Sequence, residues 1–203
     1  YAAKRNLVDI VSICLTKTSR INEPDSRGKT PLMLAIRHGY LQIAEMLVDR
    51  IANVEEIIIN RESLLHYAAR RGLVGIVSII LTKTDRINEP NRFDQTPLML
   101  AICSSHVDVV MVLLNQVIDV DQKNGNGDTP LHLSAEYGWL EIVKTLLDKA
   151  DRINAPDNDG NTPHMLALEF GHVEVAKLIS DEIEKRSWKA FAQSWYNYLI
   201  GET

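Results

Sequence analysis

Along most of the chain, short apolar segments at helical spacing alternate with stretches rich in Asn, Asp, Pro and Gly. Leu140, Ile142, Val143, Leu146 and Leu147 fall on one face of a helix. Ahead of them, Leu131-His132-Leu133-Ser134-Ala135 follows Thr129-Pro130, and Thr can cap a helix whose first turn accepts Pro without losing a hydrogen bond. Gly138 then supplies the left-handed residue that ends a helix tightly, as Gly39, Gly72 and Gly171 do elsewhere. Residues 151–161 carry Asn, Asp, Pro and Gly throughout and read as a turn or hairpin. The pattern predicts short helix, tight turn, second helix and hairpin.

This pattern recurs with a fixed period. Thr30-Pro31-Leu32-Met33, Ser63-Leu64-Leu65-His66, Thr96-Pro97-Leu98-Met99, Thr129-Pro130-Leu131-His132 and Thr162-Pro163-His164-Met165 begin 33 residues apart. Tyr1-Ala2-Ala3 aligns with Tyr67-Ala68-Ala69, so the first unit is predicted to be cut inside its opening helix. The units read as 1–29 (truncated), 30–62, 63–95, 96–128, 129–161 and 162–185, about six in all, followed by a tail over 186–203. Residues 1–36 and 67–102 agree at 26 of 36 positions, the mark of a duplicated pair of units. One helix pair cannot bury its apolar faces alone, so the units must stack into a solenoid.

Thr129–Gly138 resembles the T-P-L-H-x-A-A-x-x-G motif of the ankyrin repeat family, and five registered matches extend the resemblance over nearly the whole chain. It implies an all-α, helix-turn-helix solenoid with hairpin loops and a 33-residue period, and the tail over 186–203 is expected to add a C-terminal capping helix, because the last unit needs its open end covered. The chain departs from the motif at Met33, Met99 and Met165 in place of His, at Leu64 in place of Pro, and at Ser105 in place of the helix-ending Gly. Arg61 and Asp94 replace the turn Gly of positions 28, 127 and 160, which predicts two less regular hairpins.

Catalysis requires a nucleophile or acid–base pair converging in a pocket, whereas a solenoid offers an open groove. No catalytic residue, metal ligand set or cofactor site is expected. His66 and His132 lie where the family uses the ring as framework, and His38, His106, His164 and His172 lack zinc-ligand spacing. Cys14 aligns with Ile80 and reads as a core residue, while Cys103 falls at a surface position of a first helix. Two cysteines without CxxC spacing suit a reducing, cytoplasmic or other intracellular compartment, including a host cytosol if the source is an intracellular microbe. No apolar run is long enough to span a membrane. The missing initiator Met predicts a fragment of a longer protein.

The family binds partners through its hairpin tips and through the two residues before the helix-ending Gly. Here those pairs are Lys4-Arg5, Arg37-His38, Arg70-Arg71, Cys103-Ser104, Glu136-Tyr137 and Glu169-Phe170, with Arg27, Lys29, Arg92 and Phe93 at the tips. The series runs from basic to acidic and aromatic, as does the chain: residues 1–100 carry +3 and residues 101–203 carry −8, within a net charge of −5. Clustered cations attract an acidic or phosphorylated segment. A nucleic-acid partner is disfavoured by the acidic total and by aromatics that do not interleave with the basic positions. The resemblance implies a monomeric protein–protein interaction module. The alternative is a recruiting arm of a larger enzyme or microbial effector.

Two segments stay open. Ile57-Ile58-Ile59 stands where turns are polar, and either folds inward or offers an apolar contact. In the tail, Trp188, Phe191, Trp195, Tyr196 and Tyr198 gather five of the twelve aromatics within a helix that either caps the last unit or binds a partner.

Overall fold

The computed structural model describes residues 7–17, 21–59, 62–116 and 119–200, with side chains through residue 197. The chain divides into two units, residues 1–91 with 96–116 and residues 92–95 with 117–203. The first contains α1 (Val8–Lys17), α2 (Pro31–Arg37), α3 (Leu41–Arg50), β1 (Ile58–Ile59), β2 (Glu62–Ser63), α4 (Leu64–Arg70), α5 (Val74–Leu81), α6 (Pro97–Cys103) and α7 (Val107–Leu114). The second contains α8 (Pro130–Glu136), α9 (Leu140–Lys149), α10 (Pro163–Glu169) and α11 (Val173–Ile200). Within the first unit α1, α3, α5 and α7 pack in succession while α4 packs on α6; within the second, α8 packs on α10 and α9 on α11. Each short helix also packs against the helix that follows it.

Local chemistry sets each helix start. Thr30, Ser63, Thr96, Thr129 and Thr162 hold an extended backbone, and each side-chain oxygen accepts the N–H of the residue three positions on. His132 completes the motif, its Nδ1 accepting the Thr129 N–H at 3.1 Å, and at Met99 the sulfur takes that place on the Thr96 N–H at 3.5 Å. The stops are as local. Gly39, Gly72, Gly138 and Gly171 have φ of 68–78°, and Ser105 adopts 61° at the equivalent position without the freedom of Gly. Asp94 likewise takes φ 57° where Gly28, Gly127 and Gly160 stand in other turns, so that hairpin keeps its left-handed step despite the substitution. Arg61 lies outside the described residues.

Burial of Leu32, Ile43, Leu64, Ile76, Ile80, Leu98, Ile102 and Leu113 builds the core of the first unit, and Leu131, Ile142, Leu146 and Ile179 that of the second. Cys14 is not part of it. The position that is buried at Ile80 is exposed at Cys14, and Ile10 and Ile13 beside it are exposed too. The neighbourhood differs: α5 packs against α3, α4 and α7, whereas among the described helices α1 packs against α3.

The isoleucine run resolves by alternation. Ile58 pairs with Ser63 and Ile59 with Glu62 in a two-stranded antiparallel ribbon. Successive side chains of a strand point to opposite faces, so Ile57 and Ile59 are buried at 7% exposure while Ile58 is 52% exposed.

The tail is helical as expected, but its aromatic side chains do not form the cap. Trp188 is 70% exposed, and Phe191, Trp195 and Tyr196 are exposed with it; the Tyr198 side chain lies outside the described residues. What seals the last pair is the first half of α11, through buried Val175, Ala176 and Ile179, together with Arg186. Its Nη1 donates to the Ala150 carbonyl at 2.8 Å and its Nη2 to the Leu147 carbonyl, satisfying acceptors at the end of α9. Met165 and Leu168 on α10 remain half exposed at positions whose equivalents, His132 and Ala135, are buried.

Candidate functional site

In the first unit, tips and first helices bring the predicted basic residues into two groups. Around α2, Lys29 and Arg37 line one cleft, with Arg27 exposed at the adjoining turn and His38 stacked on Tyr40 at 5.8 Å. The turn is held by Asp25, whose Oδ1 accepts the Arg27 and Lys29 amides at 2.8 and 2.9 Å. Those amides, aided by the two side-chain charges, hold the Asp25 carboxyl below its usual range.

Around α4 the arrangement differs. Arg70 donates to Glu62 from Nη2 at 2.7 Å and from Nε at 3.2 Å, and its guanidinium lies 5.7 Å from the centre of the Tyr67 ring. Arg71, the next residue, is exposed. Cys103 and Ser104 at the end of α6 are half-buried. Lys4 and Arg5 lie outside the described residues.

The second unit is acidic and aromatic. The Arg92 guanidinium sits 4.5 Å from the centre of the exposed Phe93 ring. At the end of α8, Glu136 is half-buried, and its carboxyl is pushed up by desolvation first and by the charges of Asp128 and Glu169 next. Tyr137 packs on Trp139 at 5.7 Å, and Glu169 and Phe170 are exposed at the end of α10. His172 hydrogen-bonds the Glu136 carbonyl at 2.9 Å, as His106 does the Arg70 carbonyl at 3.1 Å in the first unit, so Glu136 and Arg70 stand on a tied backbone.

A family model for ankyrin repeats matches the chain in three copies, over residues 1–58, 52–124 and 113–187. The chain belongs to the ankyrin repeat family. An ankyrin repeat domain from Acinetobacter baumannii AYE, solved by crystallography, is 28% identical with a TM-score of 0.77, over 89% of this chain and 95% of that one. A second ankyrin repeat protein of known crystal structure is 29% identical with a TM-score of 0.75, over 88% of this chain and 94% of that one. A search of curated proteins gives no significant match. Ankyrin repeats are in general protein–protein interaction modules, and no enzyme family is among the matches. Among the described residues no group of His, Cys, Asp or Glu is placed to hold a metal ion, and no helix is long and apolar enough to cross a membrane.

Sequence reasoning missed the pairing rule on these ankyrin repeats. On α4 the residue before the cap, Glu62, lies beside the seventh residue of the helix, Arg70. The same two positions are Lys29 and Arg37 on α2, and Asp128 and Glu136 on α8. The signal was present in the repeat alignment, as an eight-residue offset, but only the folded turn reveals that the two side chains meet.

Proposed function

We propose that the chain is a binding module without catalysis of its own, which holds a protein partner on the surface formed by its hairpin tips and first helices. The observation that carries this reading is the set of exposed side chains at two adjacent positions at the ends of the first helices: Arg37, His38 and Arg71 in the first unit, Tyr137, Glu169 and Phe170 in the second. None of them is needed for the core, since the buried framework residues lie elsewhere on the same helices. The basic first unit suits an acidic or phosphorylated segment. The acidic and aromatic second unit suits a partner with complementary apolar and cationic groups. Two cysteines outside any disulfide, one of them exposed, suit a reducing compartment, and the module is read as a monomer.

The test is affinity capture on the full chain, followed by calorimetry with the captured partner. Arg71→Glu should weaken binding about tenfold or more if the contact is desolvated, with the melting temperature unchanged. Affinity indifferent to Arg71→Glu, to Phe170→Ala and to added salt would leave this surface as a solvated face.

A further inference from the structure

The second and third repeats differ at the pairing positions in a way that leaves a charge unanswered. On α4 the pair is Glu62 and Arg70, an internal ion pair at 2.7 Å. On α2 the equivalent residues are both cationic, Lys29 and Arg37, and neither lies within ion-pair distance of a carboxylate among the described residues. Asp25 stands near Lys29 and offsets part of its charge. Because Asp25 is shared between Lys29 and Arg27, the cluster keeps a net positive charge, and it sits against a cavity. Whereas α4 packs closely on α6 and α8 on α10, no such packing joins α2 to α4. Between them lies a cleft of about 380 Å³ lined by Lys29, Met33, Leu34, Arg37, Ile59 and Tyr67. That volume falls within the range of about 300 to 1,000 Å³ typical of ligand sites. The ribbon of the second repeat makes one wall, because alternation turns Ile59 inward from the strand that exposes Ile58.

We propose that this cleft is the specificity pocket of the binding surface, and that it takes an acidic peptide segment whose Asp or Glu carboxylate lies between Lys29 and Arg37 with a neighbouring apolar side chain on Met33, Leu34 and Ile59. The inference rests on the protein-binding reading above. A carboxylate answers the net positive charge of the cleft, and Arg37 can engage it through two parallel N–H groups. The apolar floor rewards a hydrophobic side chain that a free anion lacks, so a peptide is favoured over inorganic anions.

The experiment uses the full chain and fluorescein-labelled peptides of about twelve residues, one alternating Glu with Leu, one with Gln in place of Glu, and one with phosphoserine in place of Glu. Binding is read by fluorescence anisotropy, and its location by the methyl resonance of Met33 and the ring resonances of Tyr67. The Glu peptide should bind, the Gln peptide about tenfold more weakly or less, and the Met33 methyl should shift on saturation. Arg37→Gln and Lys29→Gln should each weaken the Glu peptide while leaving the circular-dichroism melt in place. Binding of the phosphoserine peptide without the Glu peptide would overturn the assignment to a carboxylate. Equal binding of the Glu and Gln peptides, or binding that leaves Met33 and Tyr67 unmoved, would overturn the pocket. In the last case sensitivity of the captured partner to Arg71→Glu would show that the wider binding surface stands while the pocket falls.

Discussion

Glu62 changes what Arg70 is for. A cation held by a half-buried carboxylate and lying over Tyr67 serves the repeat before it serves a partner. Charge reversal at Arg70 sets two carboxylates side by side, and because Arg70 is partly exposed the expected loss is on the order of 1 kcal/mol. For a chain of this length that lowers the melting temperature by about 2–4 °C, whereas Arg71→Glu should leave the melt in place; a thermal scan of both variants checks the contrast. His132 offers a second test. Burial pushes its ring pKa down from the usual 6.5, against the opposing charge of Asp128 and the Asn161 backbone. Below that pH the unfolded chain takes up a proton that the folded chain refuses, so this group's contribution is full above 6.5 and is lost as pH falls. His132→Met copies the substitution already present at Met99, where sulfur keeps the cap. Urea melts at pH 7.5 and 5.5 should give a smaller acid loss for His132→Met than for the parent chain.

At the scale of elements, what was legible in the sequence is what the chain determines locally. Thr or Ser before each short helix and the left-handed residue after it depend on neighbours a few positions away, and the structure places both as expected. Features that depend on a distant neighbour were not legible. Cys14 and Ile80 occupy the same repeat position, but Ile80 lies on a helix packed against α3, α4 and α7 while the described packing of α1 is against α3. The tail is the sharpest case, because a cluster of aromatics reads as buried whenever nothing states what lies opposite. In the fold Trp188, Phe191, Trp195 and Tyr196 face solvent, and Arg186 joins buried Val175, Ala176 and Ile179 in the closing contacts. Removing residues 187–203 should therefore shift the melt by no more than about 2 °C, since little apolar area returns to water. Arg186→Ala should cost about 1–3 kcal/mol by stranding the Ala150 and Leu147 carbonyls. Circular-dichroism melts of the two variants, compared with the parent, distinguish a polar cap from an aromatic one.

Over the whole molecule, charge is segregated, with the cationic candidates other than Arg92 in the first unit and the acidic ones in the second. Binding through the first unit should weaken as salt rises, because exposed charges are screened; calorimetry at low and high sodium chloride measures the slope, and Arg37→Gln should flatten it. The function class was legible because the motif recurs, while the proposed specificity was not, because two like-charged residues eight apart look unremarkable until the fold sets both on one cleft. The half-exposed Met165 and Leu168 carry a consequence of another kind. Their equivalents in the preceding repeat are buried, so they form a mating face already shaped for one more unit. The architecture is thus open to lengthening by design: a grafted unit copied from residues 129–161 would meet a matching surface on arrival, and each such addition would extend the recognition surface by one column.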